Sequence, residues 1–176
     1  MGNLVPAQMY DHSLVTIKGP SRLNRLDYAI APAVGADFRP GMAVSIDSVN
    51  GLIIPGVPAG TGGNRPMPMF AIQDVNSYDA NSDRNNMSGG VNSALVATGG
   101  FEVESTEYKS AQTVYPPNTL LKASVAPNAG RIEPAAASPY TGGVCIIGVV
   151  SKGVNTNRDG ITALRFWTVY LPTSVG

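Results

Sequence analysis

The sequence predicts an all-β protein, a small antiparallel β-barrel or sandwich with an extended N-terminal arm. Three observations lead there. From Phe38 onward, short apolar runs alternate with turn signals, giving roughly seven or eight strands over ~135 residues. No convincing long helix interrupts them. The 176 residues also include 20 glycines and 14 prolines, a density of breakers that favours tight turns.

Residues 1–36 read as an arm or extension, and residues 37–176 as the β body. The arm holds Leu14-Val-Thr-Ile17, then Leu23, Leu26 and Ile30, broken by Gly19-Pro20 and Pro32. Leu23, Leu26 and Ile30 stand at i, i+3 and i+7, which allows a short amphipathic helix after Ser21 of about three turns at most. Two other readings fit the same residues: a terminal strand and loop on the chain's own body, or an arm lying on a neighbouring subunit. A segment broken this often cannot bury a core by itself. The candidate interface with a neighbouring subunit is Leu14, Val15, Ile17, Leu23, Leu26, Tyr28 and Ile30.

In the body, Arg39-Pro-Gly-Met42 is a turn, because Pro fixes φ and Gly admits positive φ. Met42 to Val49 follows as a strand with Met42, Val44, Ile46 and Ser48 on one face. Asn50-Gly51 then predicts a type I′ hairpin turn, returning through Leu52-Ile-Ile54 and stopping at Pro55. Residues 55–68 contain four prolines and form a loop. Met69 to Val75 is a strand, and residues 76–92 are a polar loop. Leu95 to Val103 is a strand interrupted by Gly99-Gly100. Thr119 to Val125, Val144 to Val150 and Ile161 to Leu171 complete the set. In the last strand Ile161, Trp167, Val169 and Leu171 share one face, and Leu164, Phe166 and Tyr170 the other. Both faces are apolar, so both need cover, either from the chain's own loops or from a partner subunit.

Charge and reactive side chains narrow the function classes. Twelve basic residues balance twelve acidic ones, and charged residues make up 14% of the chain. Clustered cations for phosphate binding are missing from that balance, so nucleic acid is not an expected partner. Residues 61–110 carry six acids and three bases, while 111–176 carry five bases and two acids, an asymmetry able to orient subunits head to tail. No membrane partner is expected, since the longest apolar run, Val144 to Val150, is far too short to span a bilayer. The start, Met1-Gly-Asn-Leu-Val-Pro6, has neither the basic nor the apolar region of a secretory signal, and Pro6 stands where myristoylation needs Ser or Thr.

One cysteine and one histidine leave no disulfide and little scope for zinc. Cys145 sits in an apolar strand, as a buried thiol would, and His12 has no marked partner for a catalytic triad. Gly60-Thr-Gly-Gly-Asn-Arg65 lacks the Lys-Ser/Thr ending of a phosphate loop. Asp74, Asp79 and Asp83 are oxygen donors in a loop, but without EF-hand spacing or a closing glutamate. Glu102 and Glu104 share a strand face with Glu107 just beyond, a pattern expected of an exposed face rather than a glycosidase pair. The expectation is a protein without enzymatic activity, metal or cofactor.

Certain phrases carry a resemblance. Phe38-Arg-Pro-Gly-Met-Ala-Val44 precedes a strand, Pro116-Pro-Asn-Thr-Leu-Leu-Lys-Ala123 introduces another, and Val144 to Val154, Asn157-Arg-Asp-Gly160 and Leu164 to Pro172 close the chain. Together, over residues 37–172, these resemble the small capsid decoration, or cement, proteins of tailed bacteriophages. The resemblance implies a structural virion protein, made in the host cytoplasm and added to the outer capsid surface. Its partners would be the major capsid protein and copies of itself, as trimer or dimer. A tail or baseplate β module is the alternative, and a cellular ligand-binding β-barrel a more distant one.

Overall fold

The computed structural model describes residues 14–18, 25–29, 39–57, 66–71, 93–98, 100–111, 114–124, 129–135, 145–156 and 160–171; for 14–18, 25–29, 93–98 and 169–171 the description is of the backbone. The described chain is all β. Eleven strands run in order: β1 (Leu14–Lys18), β2 (Arg25–Ala29), β3 (Ala43–Ile46), β4 (Ile53–Pro55), β5 (Met69–Ala71), β6 (Ser93–Thr98), β7 (Glu102–Ser105), β8 (Leu120–Ala123), β9 (Ile132–Pro134), β10 (Ile146–Thr156) and β11 (Thr162–Leu171). They form a six-stranded sheet, β1-β7-β11-β10-β8-β9, and a five-stranded sheet, β2-β6-β5-β3-β4. All strand pairs are antiparallel. Both sheets keep free ends, so the architecture is sandwich-like and not a closed barrel.

Phe70 and Ala43 of the five-stranded sheet meet Val103, Leu121, Ile132, Ile147, Val150, Leu164 and Phe166 of the six-stranded sheet in one buried cluster. The rings of Phe70 and Phe166 lie 5.7 Å apart across the two sheets, tilted by 50°. Contact between apolar inner faces is what stabilises a sandwich, at about 25 cal/mol for each Å² of apolar surface removed from water. Polar stitches add direction. Ser105 Oγ donates to Gly41 O at 2.9 Å. Ala43 N donates to Gly130 O at 2.9 Å, joining β3 to the turn before β9. Gly130 has φ +87°, and a Cβ there would stand 2.8 Å from Met42 Cε and 3.0 Å from Ala43 O.

Several turns follow the sequence in place but not in type. The β3–β4 hairpin forms, with Ile46 opposite Ile53. Its loop is longer than a type I′ turn: Asp47 N donates to Leu52 O at 2.8 Å and Gly51 N to Asp47 O at 2.9 Å. Only Gly51 takes positive φ, because Asn50 uses its side chain to accept from Leu52 N instead. Pro116-Pro117-Asn118-Thr119 is a type II turn, closed by Thr119 N to Pro116 O, with Asn118 at φ +69°.

The expected strand Leu95–Val103 is two strands in different sheets. Between β6 and β7 the chain leaves the five-stranded sheet and enters the six-stranded one, with Gly100 at φ +102°. Thr168 Oγ1 accepts from Gly100 N and Phe101 N and donates to Phe101 O, which fixes that corner. Sequence reading missed β9 altogether, since three residues ending in proline carry little pattern. It also ended β10 six residues early, because Ser151–Thr156 is too polar to read as core.

The helix considered after Ser21 is corrected: Arg25–Ala29 is β2, in register with β6. Its backbone hydrogen bonds go to a neighbouring strand, which a helix of barely three turns between prolines could not match.

Candidate functional site

The broad outer face of the six-stranded sheet holds most of the unusual side chains. Along β11, Leu164, Phe166 and Thr168 point inward and are buried. Arg165 and Trp167 alternate with them and face out. Register places Trp167 opposite Val149 of β10, and Val149 opposite Leu120 of β8. Directly opposed residues share a face, so these three form a cross-strand apolar row. Trp167 is 40% exposed, and Val149 and Leu120 are half-buried. The outward face of β11 was expected to be wholly apolar. It is not, because Arg165 occupies it beside an acidic strand.

That strand is β7, where Glu102 lies opposite Trp167 and Glu104 opposite Arg165. Arg165 Nε donates to Glu102 Oε1 at 3.0 Å, and Nη2 to Oε2 at 3.1 Å, a two-pronged ion pair. Arg165 Nη1 is 3.9 Å from Glu104 Oε1. Asn155 Nδ2 donates to the same oxygen at 3.2 Å. The hydrogen bond with Glu102 holds the Arg165 guanidinium above its usual pKa, so it stays charged throughout.

Glu102, Glu104 and Glu107 were expected on an exposed face and are instead buried, at 5%, 7% and 4% exposure. Antiparallel pairing brought Arg165 from 63 residues away to cover Glu102. Such a partner has no local signature in the sequence.

On the other flank of the row, Lys122 Nζ lies 3.2 Å from Glu133 Oε1 and Lys109 Nζ 3.5 Å from Oε2. Burial pushes the Glu133 carboxyl pKa up. Hydrogen bonds from Ser124 and Lys122, with the charges of Lys122 and Lys109, outweigh it and leave the pKa below the ordinary value. Behind this flank Tyr115 Oη lies 2.9 Å from Lys109 O and 3.1 Å from Ile132 O, and burial raises its pKa well above 10. The apolar row is therefore framed by ion pairs on both sides. Chemically the face offers apolar contact along the row and charge at its two flanks.

The interface residues expected from sequence divide into three groups. Leu14, Val15 and Ile17 lie in β1, the outer strand of the six-stranded sheet, where Val15 is in register with Glu104. Leu26 and Tyr28 lie in β2, the outer strand of the five-stranded sheet, opposite Val96 and Ala94. Leu23 and Ile30 are outside the described residues, as are His12, Gly60–Arg65, and Asp74, Asp79 and Asp83. Cys145 is half-buried against the core, with Sγ 3.8 Å from Pro66 O. Among the described residues no three His, Cys, Asp or Glu side chains cluster as metal ligands, and no helix is long and apolar enough to cross a membrane.

No family model matches the chain, and no curated protein or solved structure is significantly similar to it.

Proposed function

We propose that this chain is a structural virion protein that binds the outside of a tailed-bacteriophage capsid and stabilises it by bridging major capsid protein subunits. The observation that carries the reading is the row of Trp167, Val149 and Leu120 across a rigid sheet, flanked by Arg165–Glu102 on one side and Lys122–Glu133 on the other. A cement role asks for a stiff body with a modest docking face, since many copies acting together multiply weak contacts. The turn-and-strand phrases of residues 37–172 support the same reading through their resemblance to decoration proteins. On this reading the protein performs no catalysis and needs no cofactor; it works through the major capsid protein and copies of itself.

Co-sedimentation with capsid shells stripped of the protein tests the reading. Saturable binding at a fixed ratio to capsid subunits, with a raised rupture temperature, is the expected result. Trp167→Ser should weaken binding by about tenfold or more, as expected for a central aromatic anchor, while leaving the fold intact. Absence of binding would overturn the reading and favour a tail or baseplate module.

A further inference from the structure

The first two strands of the chain occupy corresponding places in the two sheets. β1 is the outermost strand of one sheet and β2 of the other, and each pairs with a single neighbour. Those neighbours, β6 and β7, are consecutive strands in the chain, with Gly100 at φ +102° between them. Register aligns the strand ends: Lys18, which ends β1, is opposite Glu102, which opens β7. Arg25, which opens β2, is opposite Ala97, next to the end of β6. β1 and β2, consecutive in the chain, therefore follow β7 and β6 antiparallel, with four register pairs in one sheet and five in the other.

The opposite side of the sandwich is finished differently. β4 and β9 are three residues each and both end in proline, the usual way to blunt a sheet edge. Tyr108 forms a parallel bridge with Ile132, and Gly130 is stitched to Ala43. The β6–β7 edge has no such finish. Its Ser93-Ala-Leu-Val-Ala-Thr98 strand is free of proline and charge, and it depends on an added strand for cover.

We infer that this pair of strands is exchanged between copies: the β1–β2 segment of one chain adds to the β6–β7 edge of a second copy in the same register. Exchange preserves every register pair and changes only which chain supplies it, which is why an identical terminal element is a low-cost route to assembly. Two footholds, one in each sheet, make the segment bivalent toward its acceptor. Nine residues, 30–38, separate β2 from the anchored turn at Arg39. Extended, they reach ~30 Å, about twice the radius of gyration of a ~140-residue body. The inference stands independently of the capsid reading, because its acceptor is this chain.

Cysteine pairs at register positions decide it, in a Cys145→Ser background. One chain carries Tyr28→Cys and another Ala94→Cys, and the two are folded together and oxidised. Exchange in a dimer links about half of the chains into a mixed disulfide dimer, by random assortment. Asp27→Cys with Leu95→Cys repeats the test at the adjacent pair, since neighbouring pairs alternate between narrow and wide spacing. A chain carrying both cysteines should form covalent oligomers on a non-reducing gel. An internally closed monomer with no mixed dimer overturns the inference, and so does failure of both pairs to cross-link in any form.

Discussion

Replacing Arg165 by Met removes the cation from beneath two carboxylates that are more than nine-tenths buried. Arg165 gives Glu102 two hydrogen bonds, at 3.0 and 3.1 Å, and stands 3.9 Å from Glu104. Exposed ion pairs contribute ~0.5 kcal/mol, while breaking a buried pair costs ~3–5 kcal/mol by stranding a charge. The Arg165 side chain is 20% exposed, so the lower end of that range applies. The expected loss is about 3 kcal/mol, a fall in melting temperature of ~6–12 °C for a chain of this length. Equilibrium urea unfolding measures it as a lower midpoint at constant m-value. In a double-mutant cycle with Glu102→Gln, a coupling of ~2 kcal/mol is expected. A cost below ~1 kcal/mol with no coupling would refute the reasoning and make this an ordinary surface pair.

Three further predictions test the packing and the titrating groups. Gly148→Ala should cost about 3 kcal/mol in the same unfolding assay, because the new methyl would stand 2.6 Å from Phe166 Cδ2 and 2.8 Å from Trp167 O. Tyr115→Phe should cost ~1–2 kcal/mol by removing the hydroxyl donor shared by Lys109 O and Ile132 O, the second of which keeps Lys109 N at 2.9 Å. The folded state retains the Tyr115 proton that the unfolded chain releases near pH 10, so wild-type stability falls above that pH and the variant loses part of the slope. Glu133 has the opposite sign: its lowered pKa contributes stability above the ordinary glutamate range, lost as pH falls through the folded value. Stability measured from pH 6 down to pH 3 should show wild type and Glu133→Gln converging at the acid end.

The all-β class, the β3–β4 hairpin, the position of most body strands and the shared face of Leu164 and Phe166 were legible in the sequence. These follow from short-range chemistry: alternation of side chains along a strand, and Gly, Pro and Asn where turns require them. It left the arm open between helix, own-body strand and neighbour contact, because Leu23, Leu26 and Ile30 satisfy a helical spacing as well as a broken extended one. Tertiary structure decided that the chain crosses between sheets after β6, with Gly100 at the corner, rather than running on as one interrupted strand. It also decided the burial of Glu102, through Arg165 63 residues away, and the row of Trp167, Val149 and Leu120 drawn from three strands. Each of these depends on which strands become neighbours and in what register. Strand pairing is long-range, and periodicity within a strand specifies its two faces without naming the strand that lies beside it.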